Sequence, residues 1–202
     1  MARKSNELDK KMIAAGIELI LEGGIARLST RDIAERAGAN LGMFNYHFGT
    51  KEKFVLKLLN EFYQKFLENL EPMNNKEPHL EVVLFQIAVF SRDSRKLLTS
   101  ILSDVLSNDE VVVRFIKKNF SEHFAVLEQT LKGHLKVKKL STPNINHSIR
   151  FLLGAVGVPN ILFEVYERGG RKKHSPDSDN ELKSRVKAAI IGLESGLCDK
   201  TK

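Results

Sequence analysis

Residues 40–51 gather side chains that suit contact with a nucleic acid: Asn40, Leu41, Gly42, Met43, Asn45, Tyr46, His47 and Lys51. Tyr46, His47 and Lys51 carry N–H or O–H donors, which a phosphate oxygen accepts. The Asn45 amide offers a donor and an acceptor together, the pattern that suits a base edge. Asn40, Leu41 and Met43 stand where base contacts are geometrically possible, although capping and local packing would also account for them. Gly42 permits close approach, to phosphates or to a neighbouring helix. Lys51 falls in the first turn of a helix, where its charge opposes the dipole. That placement is easier to understand with an anion as neighbour. Thr30 and Arg31, in the first turn of the preceding helix, add candidate backbone or groove-edge contacts, and solvation alone would also explain Arg31.

Other chemistry is poorly supplied. There is no G-x-G-x-x-G after a strand, no phosphate loop, no H-E-x-x-H and no set of nucleophile, base and orienter, so an enzyme is not expected. Cys198 is the single cysteine, which excludes an intramolecular disulfide and a Cys-rich zinc site and fits a reducing cytoplasm. His123, His134, His147 and Gln86 are scattered without ligand spacing, and neither metal nor cofactor is expected.

The elements that must position the candidate residues all read as helices. Leu8, Met12, Ala15 and Leu19, with Ile13, Ile17 and Ile20, make an apolar stripe over residues 8–22 that Gly23 and Gly24 end. Leu28, Ile33, Ala34 and Ala37 give a second helix a small inward face. Ser29 can cap it, with Asp32 at N3 of a capping-box-like arrangement. Gly38 supplies a tight turn, Asn40 caps a third helix over about 41–47, and Phe44 reads as core. So short a helix must be presented by its neighbours. Thr50 or Gly49 opens a fourth, Lys51–Leu70, with Phe54, Leu58, Phe62, Phe66 and Leu70 at helical spacing. It would run about 30 Å into the rest of the chain. Further helices are expected at about 78–92, 95–105, 109–136, 144–168 and 179–197, with Pro159 kinking or interrupting the penultimate one.

The chain has 202 residues and a formal charge of +7, compatible with a polyanionic partner but also with a solvated surface. Residues 1–53 hold nine Lys or Arg against seven Asp or Glu, so composition does not locate the nucleic-acid surface; the motif does. The opening MARKSNELDK is not followed by a signal-peptide stretch. The apolar run 151–165 is too short to span a bilayer and is broken by Pro159, so no membrane association is expected.

Ser29, Ile33-Ala34, Ala37-Gly38, Gly42, Tyr46-His47-Phe48 and Lys51-Glu52 stand in one ungapped series. In this series the chain resembles the TetR/AcrR (tetracycline-repressor-like) family of bacterial transcription regulators across residues 10–54. Asn40 and Asn45 depart from the family's common Ser and Tyr, which puts any borrowed operator sequence aside. The resemblance implies an all-α fold. Residues 1–53 would form a three-helix helix-turn-helix head, and residues 54–202 a larger helical domain for effector binding and dimerisation. It also implies that residues matching Tyr46 and His47 meet the DNA backbone while Phe48 packs beneath them. The implied function is a cytoplasmic, homodimeric regulator, a repressor that binds a palindromic operator and is released by a small apolar or amphipathic effector.

Two apolar faces on the last two helices suit pairing: Ile145, Ile149, Leu152, Leu153, Val156, Ile161 and Val165, and Val186, Ala189, Ile190, Leu193 and Leu197. The same faces would equally complete a monomer's core. Phe62, Phe66, Phe85, Leu98, Leu102, Phe120, Phe124 and Phe151 are the candidate lining of an effector cavity. A helical protein-interaction module, or an apolar-ligand carrier that does not act through DNA, is the alternative.

Overall fold

A computed structural model describes residues 2–70, 79–170 and 177–198, the side chains of 2–6, Asn69, 120–123, Arg168 and Cys198 excepted. The expected start of a helix at residue 78 and the side chain of Phe120 lie outside these residues. Among the described residues the regular structure is helical throughout. The helices are α1 Ala2–Gly23, α2 Thr30–Arg36, α3 Leu41–Phe48, α4 Lys51–Leu70 and α5 Leu80–Asp93, then α6 Arg95–Leu106, α7 Glu110–Val137, α8 Ile145–Val156, α9 Val158–Arg168 and α10 Asp179–Cys198. Boundaries expected from apolar spacing fall within a residue or two of these, apart from the start of α1 and the break between α8 and α9.

Packing divides the chain into two compact units. One comprises residues 1–65 and 96–119, the other residues 66–95 and 120–202. The division expected at residue 53 falls inside α4, a single uninterrupted helix, and α6 with the first part of α7 packs in the unit that holds α1–α3. In that first unit Met12, Ile20, Ile33, Phe44, Phe54, Leu58 and Leu59 are all but inaccessible to solvent. The α1–α2–α3 arrangement is thus a small bundle built on large side chains, each worth about 1.5–3 kcal/mol on burial.

In the second unit α5, α8 and α10 pack around Leu84, Ala88, Leu131, Ile149, Leu152, Val156, Leu182 and Val186. The run expected as one helix over 144–168 is two. Gly157 separates α8 from α9, and Pro159 sits in the first turn of α9, where a missing N–H leaves no helix bond unmade. Ile145–Glu167 is apolar and long enough to span a bilayer by composition, yet it is broken here and Ile149, Leu152, Val156 and Asn160 are buried.

The same core corrects the expected pairing faces. Ile149, Leu152, Val156, Val186, Ala189, Ile190 and Leu193 are buried inside the unit, because α8 and α10 turn these sides toward each other and toward α5. The large apolar residues left exposed among those described on α8–α10 are Phe151, Val158, Leu162, Val165, Tyr166 and Ile191.

One polar group fixes α9 in this core. Asn160, 4% exposed, donates from Nδ2 to the Ala88 carbonyl at 3.1 Å and to Ser91 Oγ at 2.8 Å. Its Oδ1 accepts from Arg185 of α10 at 3.3 Å, so one amide ties α5, α9 and α10. Replacing it with an apolar group strands buried partners. Asn160→Ala should lower unfolding free energy by about 1–3 kcal/mol in a denaturant titration. Lys187→Ala, exposed on α10, should stay within about 0.5 kcal/mol.

Candidate nucleic-acid interface

The turn between α2 and α3 is built from local chemistry. Ser29 Oγ accepts the Asp32 N–H at 3.4 Å and opens α2. Gly38 adopts φ 71°, a left-handed conformation that a Cβ resists, and closes the helix with its N–H on the Glu35 carbonyl at 3.0 Å. The Ala39 N–H bonds the Ala34 carbonyl at 2.8 Å. Asn40 then caps α3, its Oδ1 accepting from the Met43 N–H at 2.9 Å. Thr50 opens α4 by accepting the Lys53 N–H at 3.2 Å.

An aromatic cluster holds the inner side of α3. Phe44, fully buried, lies 5.3 Å from both Phe48 and Phe54, and Phe48 meets Phe54 edge-on at 4.8 Å between ring centres. Contacts of this kind add about 0.5–1.5 kcal/mol each beyond the area they bury. With Phe44 and Phe48 turned inward, the helical repeat turns Gly42 and Tyr46 outward, with Met43 and Asn45 on either flank. Tyr46 is 82% exposed, Leu41 and Met43 are each 39% exposed, and Asn40 and Asn45 are exposed. Arg31 is exposed on α2, with Thr30 half-buried beside it.

His47 and Lys51 are placed differently from the other candidates. The His47 side chain is 4% exposed, and its Nδ1 is turned to Asp9 of α1. Asp9 also accepts from Lys57 Nζ of α4 at 2.8 Å, so one carboxylate clasps α1, α3 and α4. Tyr46 rests edge-on against the His47 ring, 5.3 Å between centres, so His47 steadies the exposed phenol. Lys51 Nζ donates to the Ala26 carbonyl at 3.3 Å, and its charge acts on Asp104. Lys51 thus spends one of its three N–H donors within the protein.

Sequence spacing did not point to Asp9, Glu22 or Asp104. Glu22 grips Arg36 through two bonds of 2.5 and 3.2 Å, tying α1 to α2. Asp104 of α6 is buried and accepts the Ile25 N–H at 3.1 Å, in the loop between α1 and α2. One signal was available: Leu97, Ile101 and Asp104 recur at i, i+4 and i+7, which puts a carboxylate on the buried side of α6. Burial pushes the Asp104 carboxyl above its ordinary value, opposed by the Ile25 and Ala26 N–H groups and by Lys51, while Asp109 adds to the rise.

The geometry defines a class: a helix-turn-helix DNA-binding domain, whose second helix offers its outer face while its inner face is locked to the bundle. Residues 12–58 match the family described as "Bacterial regulatory proteins, tetR family". The chain is 26% identical over 158 residues to the "Probable HTH-type transcriptional regulator YttP" of Bacillus subtilis (strain 168), spanning 75% of this chain and 76% of that one. Among solved structures it is similar to the "Clostridium perfringens putative fatty acid metabolism regulator", with TM-score 0.72 at 17% identity over 92% of this chain and 97% of the other. It is also similar to the "Flavonoid-responsive Regulator FrrA", with TM-score 0.67 at 16% identity over 95% and 97%. The chain carries a tetR-type helix-turn-helix domain over residues 12–58, has the all-α fold of these structures and is a DNA-binding transcriptional regulator.

The candidate effector residues fall in both compact units. Phe62, Leu98 and Leu102 belong to the first, Leu102 being 44% exposed; Phe66, Phe85, Phe124 and Phe151 belong to the second. Phe66, Phe85 and Phe124 are partly buried against the second core. Phe151 stands apart, 45% exposed on a groove of about 450 Å³ lined also by Thr142, Asn144, His147, Gly192 and Leu197.

A carboxyl whose pKa rises on folding holds its proton more tightly in the native state. Its contribution to stability is full below the unfolded pKa and fades as pH rises through the native one. Asp104→Asn keeps an acceptor for the Ile25 N–H and removes the ionisation. It should leave the fold intact and flatten the decline in stability as pH rises through and above the carboxylate range. Asp104→Ala should cost about 1–3 kcal/mol at neutral pH, measured by denaturant unfolding.

Proposed function

We propose that the protein is a homodimeric repressor that binds a palindromic operator and leaves it when a small apolar or amphipathic effector binds. The observation that carries this reading is the outer side of α3, where Gly42, Asn45 and Tyr46 are exposed, with Asn40 at its start and Leu41 and Met43 each 39% exposed, while the bundle holds Phe44 and Phe48. On this reading residues 1–53 form the reading domain and residues 54–202 serve effector and dimer. Tyr46, Thr30 and Arg31 make backbone contacts, Asn40, Leu41, Met43 and Asn45 address bases, and Gly42 lets the groove come close. His47 and Lys51 add to phosphate binding by shaping the site as much as by direct contact.

A single eight-residue reader covers few base pairs. Two copies related by a twofold axis, about 34–36 Å apart, would double the read sequence and require a palindrome. The pairing surface is the apolar strip that the second core leaves uncovered. Phe151, Val158, Leu162 and Val165 follow one side of α8 and α9, and Ile191 stands 61% exposed on α10. A Cβ added at Gly154 or Gly196 would meet no atom, so a second chain can approach closely there.

For the effector, Phe66, Phe85 and Phe124 supply aromatic surface beside the second core. Relatives in fold whose names include flavonoids and fatty acid metabolism accord with an apolar or amphipathic molecule. An effector shifts operator occupancy only through unequal affinity for two conformations. The protein would act in the cytoplasm, where its DNA lies.

Selection of bound duplexes from a random library should enrich a palindrome. Tyr46→Phe should weaken binding to that palindrome and to related sites alike, by about two- to tenfold. Ile191→Glu should leave helical content unchanged, convert the protein to a monomer in sedimentation, and reduce palindrome affinity more than tenfold. A variant that stays dimeric with full affinity would remove this face from the account.

A further inference from the structure

The outer face of α3 carries no cationic side chain. The helix reads Leu-Gly-Met-Phe-Asn-Tyr-His-Phe, and its one titratable base, His47, is turned inward to Asp9. Guanine shows two acceptors, N7 and O6, in the major groove, and the contact that matches both is Arg or Lys. α3 supplies neither. Arg31 is exposed on α2, the helix that crosses the DNA backbone in modules of this kind.

What α3 does offer is chemically narrow. Asn40 engages its side-chain oxygen in capping, accepting the Met43 N–H at 2.9 Å. Asn45 is exposed, and its amide makes no hydrogen bond with a described residue, so both donor and acceptor are available. Adenine's N6 amino group and N7 match that pair. Leu41, one turn before Asn45, and Met43, on the opposite flank of the helix, are each 39% exposed and add apolar surface, which suits the C5 methyl of thymine and gains nothing from a guanine or cytosine edge. Gly42 lies on the outermost line of the helix with no side chain to hold the groove away. A Cβ there would also come within 3.2 Å of Asn40 Oδ1, the capping atom.

We propose that α3 reads A·T base pairs: Asn45 pairs bidentately with an adenine, and Leu41 and Met43 pack on thymine methyl groups. The operator half-site is then selected through methyls and one adenine, without a guanine contact from this helix. The inference rests on the DNA-reading assignment above and adds the base class to it.

The test uses the full-length protein and the palindrome enriched from a random duplex library. Uracil replaces thymine at each half-site position in turn, which deletes only the methyl group. Affinity should fall about fourfold at each contacted methyl. Met43→Ala, with helical content checked by circular dichroism, should abolish the thymine–uracil difference at one position and keep it at others. Asn45→Ala should relax the preference for adenine at one position by roughly five- to hundredfold. A half-site centred on G·C pairs, or uracil duplexes bound as tightly as thymine duplexes at every position, would overturn the inference and leave DNA reading intact. Failure to enrich any duplex would overturn both.

Discussion

An eight-residue helix does not persist alone in water, because nucleation costs more than so few backbone bonds return. The structure answers this constraint at α3 with local caps at both ends and an aromatic cluster on one side. Asn40 satisfies an N–H at the start, and the Gly49 N–H closes the end on the Asn45 carbonyl at 2.9 Å. Phe44, Phe48 and Phe54 hold the inner side. Everything proposed for the outer side depends on this asymmetry, since a helix free to rotate would present no constant face to a groove.

Long-range polar contacts then fix how the bundle is assembled. Asp9 joins α1 to α3 and α4, Glu22 holds Arg36, and Asp104 accepts from the α1–α2 loop. These contacts need not add much net stability: the Glu22–Arg36 pair is exposed to solvent, and burying the Asp104 carboxyl offsets much of its gain. Their effect is on geometry: each is satisfied in one helix arrangement and broken in others. Asn160 plays the equivalent part in the second unit, where an apolar core alone would allow α9 to slide. A fixed reader and an outer apolar strip on α8–α10 are the two features that the proposed paired repressor requires.

Much of this was legible in the sequence, for a physical reason. Caps act within three residues, so Ser29 and Asn40 announced their helices, and Gly38 announced the turn. Amphipathic spacing identified Phe44, Phe54 and Leu58 as core. Contacts between distant residues were not legible. Nothing near His47 says that its ring turns toward Asp9, thirty-eight positions earlier in the chain. The bond from Lys51 to the Ala26 carbonyl, twenty-five positions earlier, was equally out of reach of local spacing. The pairing faces show the same limit. Apolar periodicity marked Ile149, Leu152 and Val186 as covered, but it does not distinguish cover from the same chain from cover by a second one. Phe151 and Ile191, which the core leaves outside, are apolar for no reason that a single stripe conveys.

The claim that α3 is the surface that meets DNA is open to one direct measurement. A photoreactive side chain is placed in turn at residue 46 and at residue 137, which are 82% and 81% exposed in the native protein, and each variant is irradiated with the enriched duplex. The account predicts adducts from position 46 at two symmetry-related points of the duplex, and none from position 137. Adducts from position 137 without any from position 46 would contradict it.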